Sequence, residues 1–239
     1  MHERPPQQEI DLSEDIIEIP RIEHDFLHLD DEDRNNLERY FDYLQRRISD
    51  PLRFMDKGGA GSVFNVNDSI CIKMIEDRQT LEDDRAHKEG REPFHLDLGN
   101  RPYIEAQIQD HMNDLYIDGV RSPQLVQYLR GESWHGLIME RLNAVNLQHV
   151  LNGKVPLPEE FNKDRFLQSL GNFLEATHGE KRIYHGDLFP RNVMIQNETG
   201  DARVIDWGRS GHLKNDTHDS FAKKDWIKFD ELDAKIMAL

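Results

Sequence analysis

The sequence predicts an α+β protein of two lobes, a β-rich first lobe and an α-rich second one, with a hinge near residues 140–145. Two observations carry this. Short β-type runs, Gly61–Asn65, Ile70–Ile75, Leu125–Leu129 and Leu137–Met139, all fall before the hinge. Helical periodicity dominates after it, at 147–151, 160–178 and 219–238, interrupted by one hairpin pattern at 193–206. Strands gathered ahead of helices, rather than alternating with them, point to segregated layers.

Taken in order, residues 1–30 read as a disordered acidic arm, because Pro5, Pro6, Pro20 and dense carboxylates oppose a packed core. Residues 31–50 read as a helix: Leu37, Tyr40, Phe41, Leu44 and Ile48 recur at helical spacing. Its apolar face needs a partner surface, for which the lobe that follows is the nearest candidate. Pro51 ends it. The first two strands are joined by an Asn67-Asp68-Ser69 turn. Residues 76–101 are charged and broken by Gly90, Pro93 and Gly99, so a long loop with some helix is predicted there. A helix over 102–116 follows, with Ile104, Ile108, Met112 and Leu115 on one face. Strands 125–129 and 137–139 flank a Gly131 turn. The predicted division is therefore an N-lobe at 51–140 and a minimal C-lobe at 141–239.

Composition removes several function classes. Thirty Lys+Arg against 46 Asp+Glu give a net charge of −16. Such a chain repels nucleic acid and anionic membrane unless it hides a local basic patch, and a basic protein or cationic small molecule is its more natural partner. The single Cys71 excludes an internal disulfide and a Cys-based zinc site. No stretch approaches the roughly 18–20 apolar residues of a membrane span, and the polar N-terminus lacks a signal region. A reducing, aqueous compartment is expected: a cytoplasm, or a host cytoplasm if the chain is delivered there.

The informative motif is HGDLFPRN at 185–192, followed by VIDWG at 204–208. An Asp (Asp187), an Asn five residues on (Asn192) and a second Asp after a short hairpin (Asp206) match what metal-assisted phosphoryl transfer needs. One carboxylate orients a hydroxyl while an amide and another carboxylate hold Mg²⁺ against ATP. A second signal is CIKMI at 71–75, where a strand lysine flanked by apolar residues points into a cleft and needs anionic partners. A third is KGGAGSVF at 57–64, whose glycines allow backbone N–H groups to approach phosphates.

From about residue 53 to 230 this order of pieces resembles the protein-kinase-like superfamily. The resemblance implies a bilobed kinase fold with a truncated α-helical C-lobe, using ATP and Mg²⁺. It places Gly58, Gly59, Gly61 and Val63 over the nucleotide, with Met55 where the first glycine of the full motif would fall. Lys73 becomes the α/β-phosphate contact and Cys71 the small residue beside adenine. Glu105 is the expected partner of Lys73, with Glu89 and Glu92 as rivals. Met139 would back the adenine pocket, and the backbones of Glu140 and Leu142 would meet the base edge. Asp187 is the expected base, with His185 supporting the loop, and Asn192 and Asp206 are the metal ligands. Arg191 would supply charge to the transferred phosphate, as in the tyrosine-kinase arrangement. Asp225, on the last helix, is a candidate brace behind the catalytic loop.

The acceptor stays open at this level. Spacing from Glu140 to His185 is that of a compact protein kinase, which favours a protein substrate, Ser/Thr ahead of Tyr. HGD in place of HRD, and IDWGRSG, resemble aminoglycoside- and choline-kinase relatives. A pseudokinase is a third reading. Residues 207–239 are too few for a full activation segment and the usual distal helices, so a minimal kinase similar to small bacterial effector kinases or lipopolysaccharide-kinase-like proteins fits. Gly186 stands where an Arg would read a phosphorylated loop, which predicts activity without loop phosphorylation. Oligomeric state is not legible.

Overall fold

A computed structural model of the chain describes residues 54–58, 61–76, 102–130, 134–213 and 220–239, with Asn35, Ala86 and His87 as isolated positions. The predicted arm at 1–30, nearly all of the helix at 31–50, the Gly131 turn and most of the 76–101 loop lie outside the described residues.

The first lobe is a five-stranded antiparallel sheet in the order β1-β2-β3-β5-β4. Its strands are β1 (Phe54–Gly58), β2 (Gly61–Asn65), β3 (Ile70–Glu76), β4 (Leu125–Arg130) and β5 (Trp134–Glu140). β1 had no periodic signal of its own; pairing with β2, Gly58 opposite Gly61, makes it a strand. The expected 67–69 turn is present. Asn67 Oδ1 accepts from the backbone N–H groups of Ser69 and Ile70, both at 2.8 Å, the local bonding that lets Asn replace a turn's own hydrogen bonds.

Central strand β3 is buried along Ile70–Ile75. Phe64, Ile72, Met74 and Ile138 form one apolar cluster, and Ile75, Leu125, Tyr128 and Leu137 another with Ala106. Ala106 belongs to helix α1 (Pro102–His111). The helix is shorter than the expected 102–116. Turns take over after His111, yet Met112 and Leu115 stay buried with Ile108, so the apolar spacing runs on past the end of the helix.

In the second lobe, β6 (Ala144–Asn146) pairs with β8 (Val193–Gln196), and β8 with β9 (Ala202–Val204). Helix α2 (Leu147–Leu151) is capped by Asn146, whose side chain accepts from Gln148 N. Helix α3 (Lys163–Gly179) starts at an Asn162 cap and buries Phe166, Leu170, Phe173 and Leu174 on one stripe. A two-strand ladder joins β7 (Ile183–Tyr184) to β10 (Gly211–His212). Helix α4 (Ser220–Met237) packs Leu232 and Ile236 into the same core as α3. No helix among the described residues is long and apolar enough to cross a membrane.

Candidate active site

A cavity of ≈ 290 Å³ opens between the sheet of the first lobe and the β6–β8–β9 sheet of the second. Its size falls at the low end for a small-molecule cleft. Of the residues expected from sequence, Gly61, Val63, Cys71, Lys73, Glu105, Met139, Glu140, Leu142, Arg191, Asn192 and Asp206 line it. Gly58 ends β1, and Gly59 lies outside the described residues.

Lys73 sits mid-strand, 8 % exposed, and its Nζ donates to Glu105 Oε1 at 2.5 Å and Asp206 Oδ1 at 2.6 Å. Helix α1 therefore delivers Glu105, itself 1 % exposed, as the partner; Glu89 and Glu92 lie outside the described residues. Burial works to lower the Lys73 pKa, but the two carboxylates outweigh it and hold the ammonium above its ordinary value. The same contact acts in reverse on Asp206: burial would raise its pKa, and Lys73 holds it below the usual carboxylate range. Both groups are thus charged at neutral pH, so the cleft keeps a fixed cation beside a fixed anion. Asp206 takes a left-handed backbone conformation (φ 65°, ψ 67°) that Asp tolerates better than most residues.

Gly61 has a packing reason beyond any phosphate role. A Cβ there would lie 2.4 Å from the Met74 carbonyl oxygen, so only glycine allows β2 this close to β3. Cys71 Sγ donates to the Glu140 carbonyl at 3.7 Å. Burial pushes the Cys71 thiol up to about 12, far from the thiolate that alkylation needs. Iodoacetamide at pH 8 is therefore expected to leave Cys71 unmodified in the folded chain and to modify it on unfolding, checked by mass spectrometry.

The Glu140 side chain is held by an arginine from the segment before β4. Arg121 forks onto both carboxylate oxygens (Nη2–Oε1 2.6 Å), and Glu140 N donates to Gln124 O at 2.9 Å. Arg121 also bridges to Arg203 of β9. The hinge is thereby tied to the second lobe's hairpin through the segment before β4.

The segment 185–192 is held through its backbone N–H groups by a side chain of α4. Asp225 of α4, 1 % exposed, accepts from His185 N (2.6 Å) and Gly186 N (2.8 Å). His185 Nδ1 accepts from Asp187 N at 3.2 Å, which leaves Nε2–H to donate to Ile205 O at 3.0 Å. The imidazole is a strut between this loop and the strand leading to Asp206. Asn192 Nδ2 donates to Asp187 O (2.8 Å) and to Asp187 Oδ2 (2.9 Å), and Arg191 Nη2 donates to the same Oδ2 at 2.7 Å. Asp187 Oδ1 is buried and has no hydrogen-bond partner among the described residues. A buried carboxylate oxygen left without a donor is costly.

Asn192 and Asp206 together offer an amide and a carboxylate. Such a small hard-oxygen set suits Mg²⁺, which takes one or two carboxylates and completes its shell with phosphates and water. Sequence reasoning missed several members of the cleft. Met194 and Ile205 line it from β8 and the end of the hairpin; Met194 follows from strand alternation, since its neighbours Val193 and Ile195 are core. Arg209 was also missed. Its Nη1 lies 3.7 Å from Asp187 Oδ1, and no spacing rule announces a residue in an irregular turn.

Among solved structures, the chain is similar to one described as the bifunctional kinase-methyltransferase WbdD, at 19% identity and a TM-score of 0.48. That likeness covers 72% of this chain and 34% of the other, so the chain spans about a third of that protein's length. The model of the protein kinase domain matches residues 53–228. Those residues hold the five-stranded sheet, the Lys73–Glu105 pair and both acidic loops, and the chain belongs to the protein kinase domain family as a kinase phosphotransferase.

Proposed function

We propose that this chain transfers the γ-phosphoryl group of ATP to an alcohol hydroxyl on a compact acceptor such as a sugar. The observations that carry the reaction are the unbonded Asp187 Oδ1 and the Lys73–Asp206 pair. Lys73, positioned by Glu105, would neutralise the α/β-phosphates. Val63, Cys71, Met139 and Met194 give adenine an apolar slot, and the backbones of Glu140 and Leu142 border it. Asn192 and Asp206 would hold Mg²⁺, which supplies charge neutralisation along the phosphates. Asp187 Oδ1 orients the hydroxyl and takes its proton. The acceptor oxygen bonds to the γ-phosphorus as the β–γ bridging P–O bond breaks, and ADP leaves with the electron pair. Arg191 neutralises charge on the transferred group.

The compact acceptor is favoured by one spacing: residues 207–219 are all that separate Asp206 from α4. An extended peptide needs a longer segment there to form its groove. A protein Ser/Thr hydroxyl is the second reading, favoured by the short stretch between Glu140 and His185. The test is incubation with γ-labelled ATP and Mg²⁺ in a cell extract. Label in small molecules, lost in Lys73→Ala, supports the first reading; label in protein bands supports the second. Phosphatase pretreatment is expected to leave turnover unchanged, because Gly186 offers no side chain to read a phosphorylated loop. Nucleotide binding without any transfer would overturn both.

A further inference from the structure

The chain carries a net charge of −16, yet the lip around Asp187 is cationic. Two guanidinium groups converge on one carboxylate. Arg191 donates to Oδ2 from the catalytic loop, and Arg209 approaches Oδ1 to 3.7 Å from the turn after Asp206. Their side chains are 54% and 64% exposed, while the Asp187 side chain is 7% exposed. Lys228 also reaches this lip, its ammonium 4.7 Å from the centre of the Phe189 ring that Arg191 covers at 4.5 Å. Glu231 matches the Lys228 charge, at 2.8 and 2.9 Å. Among the described residues Arg191 and Arg209 share a single anion, so one positive charge is left facing the solvent at the point where an acceptor must enter.

Arg209 is placed there by construction. Gly186 has φ +75°, and a Cβ at that position would lie 2.4 Å from the Arg209 carbonyl oxygen. Any side chain at 186 would push the Trp207–Arg209 turn away from the catalytic loop. The turn is anchored on its other side by Trp207, buried against His185 with ring centres 4.6 Å apart. An exposed guanidinium 3.7 Å from a carboxylate adds little to folding. Its placement therefore asks for a ligand.

We propose that Arg191 and Arg209 form a clamp for a phosphate substituent on the acceptor, next to the hydroxyl that Asp187 engages. The acceptor class is then a phosphorylated sugar, which revises the cationic partner that net charge alone suggests. Guanidinium forks suit phosphate oxygens better than ammonium groups do, and a local cation is what lets an anion approach a chain of this charge. The proposal rests on the phosphoryl-transfer reading above.

The experiment uses the full chain with Mg²⁺ and saturating ATP on matched acceptors: glucose with glucose 6-phosphate, and mannose with mannose 6-phosphate. The phosphorylated member is expected to have the higher kcat/KM by about tenfold or more, the equivalent of one charge-assisted hydrogen bond. In Arg209→Gln that ratio should fall toward one, and Arg209→Lys should restore part of it. Lys235→Gln, an exposed cation at the far end of α4, should leave the ratio intact. Preference for the neutral sugar overturns the clamp. So does an Arg209→Gln effect confined to the KM for ATP, which would put Arg209 on the nucleotide. If no acceptor turns over, calorimetric titration of glucose 6-phosphate into chain saturated with a non-hydrolysable ATP analogue decides the matter. Binding weakened by Arg209→Gln supports the clamp, and no binding to wild type overturns it. Loss of all transfer with the clamp intact would instead sink the enzymatic reading.

Discussion

Asp187→Ala is expected to lower phosphoryl transfer by about 10²–10⁴-fold, the range for loss of a positioned general base. The effect should fall on kcat. Lys73, Glu105 and Asp206, which the proposed function assigns to the nucleotide and its metal, make no hydrogen bond to the Asp187 side chain. The substitution also removes the shared anion between Arg191 and Arg209, so the dissociation constant for ATP should hold or tighten. Asp187→Asn separates the two roles. It keeps an oxygen for Asn192 and Arg191 but presents an amide where a proton acceptor is needed. Single-turnover rates and nucleotide titration on the three proteins check this. A drop in rate below about threefold for the alanine variant would remove Asp187 from the chemistry.

Asp225→Ala is expected to destabilise the fold by about 2 kcal/mol, since it strands the buried His185 N–H at about 1–3 kcal/mol and also removes the acceptor of the part-buried Gly186 N–H and of His178. Those donors, His185 N and Gly186 N, immediately precede Asp187. Catalysis should therefore fall even at temperatures where the variant is folded. Asparagine is a poor substitute, because one of its two terminal atoms is itself a donor and would confront a backbone N–H. The alanine and asparagine variants are thus expected to shift the urea midpoint in the same direction with an unchanged m-value. An unshifted midpoint in both would mean that the loop is held by other contacts.

These two aspartates show how unevenly the sequence exposes a site. Asp187, Asn192 and Asp206 were legible because the chemistry fixes their spacing along one short loop and hairpin. Lys73 was legible because a lysine amid apolar strand residues has to face something anionic. Its partner was harder: α1 could be placed by its apolar face, but a charged stretch upstream offered Glu89 and Glu92 as well. Asp225 could be named as a candidate brace only through the family resemblance, and the approach of α4 to the loop shows that it accepts from His185 N and Gly186 N. β1 escaped notice because its strand state comes from pairing with β2 and not from its own alternation. Arg209 was beyond reach, since its position depends on a glycine twenty-three residues earlier that leaves room for its backbone. Composition misled in the same place, as a whole-chain charge says nothing about a lip a few residues wide.

The buried Trp207 donates its indole Nε1–H to Ser122 Oγ at 3.0 Å. Ser122 lies in the segment that also ties Arg121 to Glu140. Inhibitor chemistry that depends on flipping the Asp206–Trp207–Gly208 turn outward would orphan that N–H and empty a large side chain's cavity at once. A stranded buried donor costs about 1–3 kcal/mol, so compounds that select the inward turn should bind this protein in preference to those that demand its reversal.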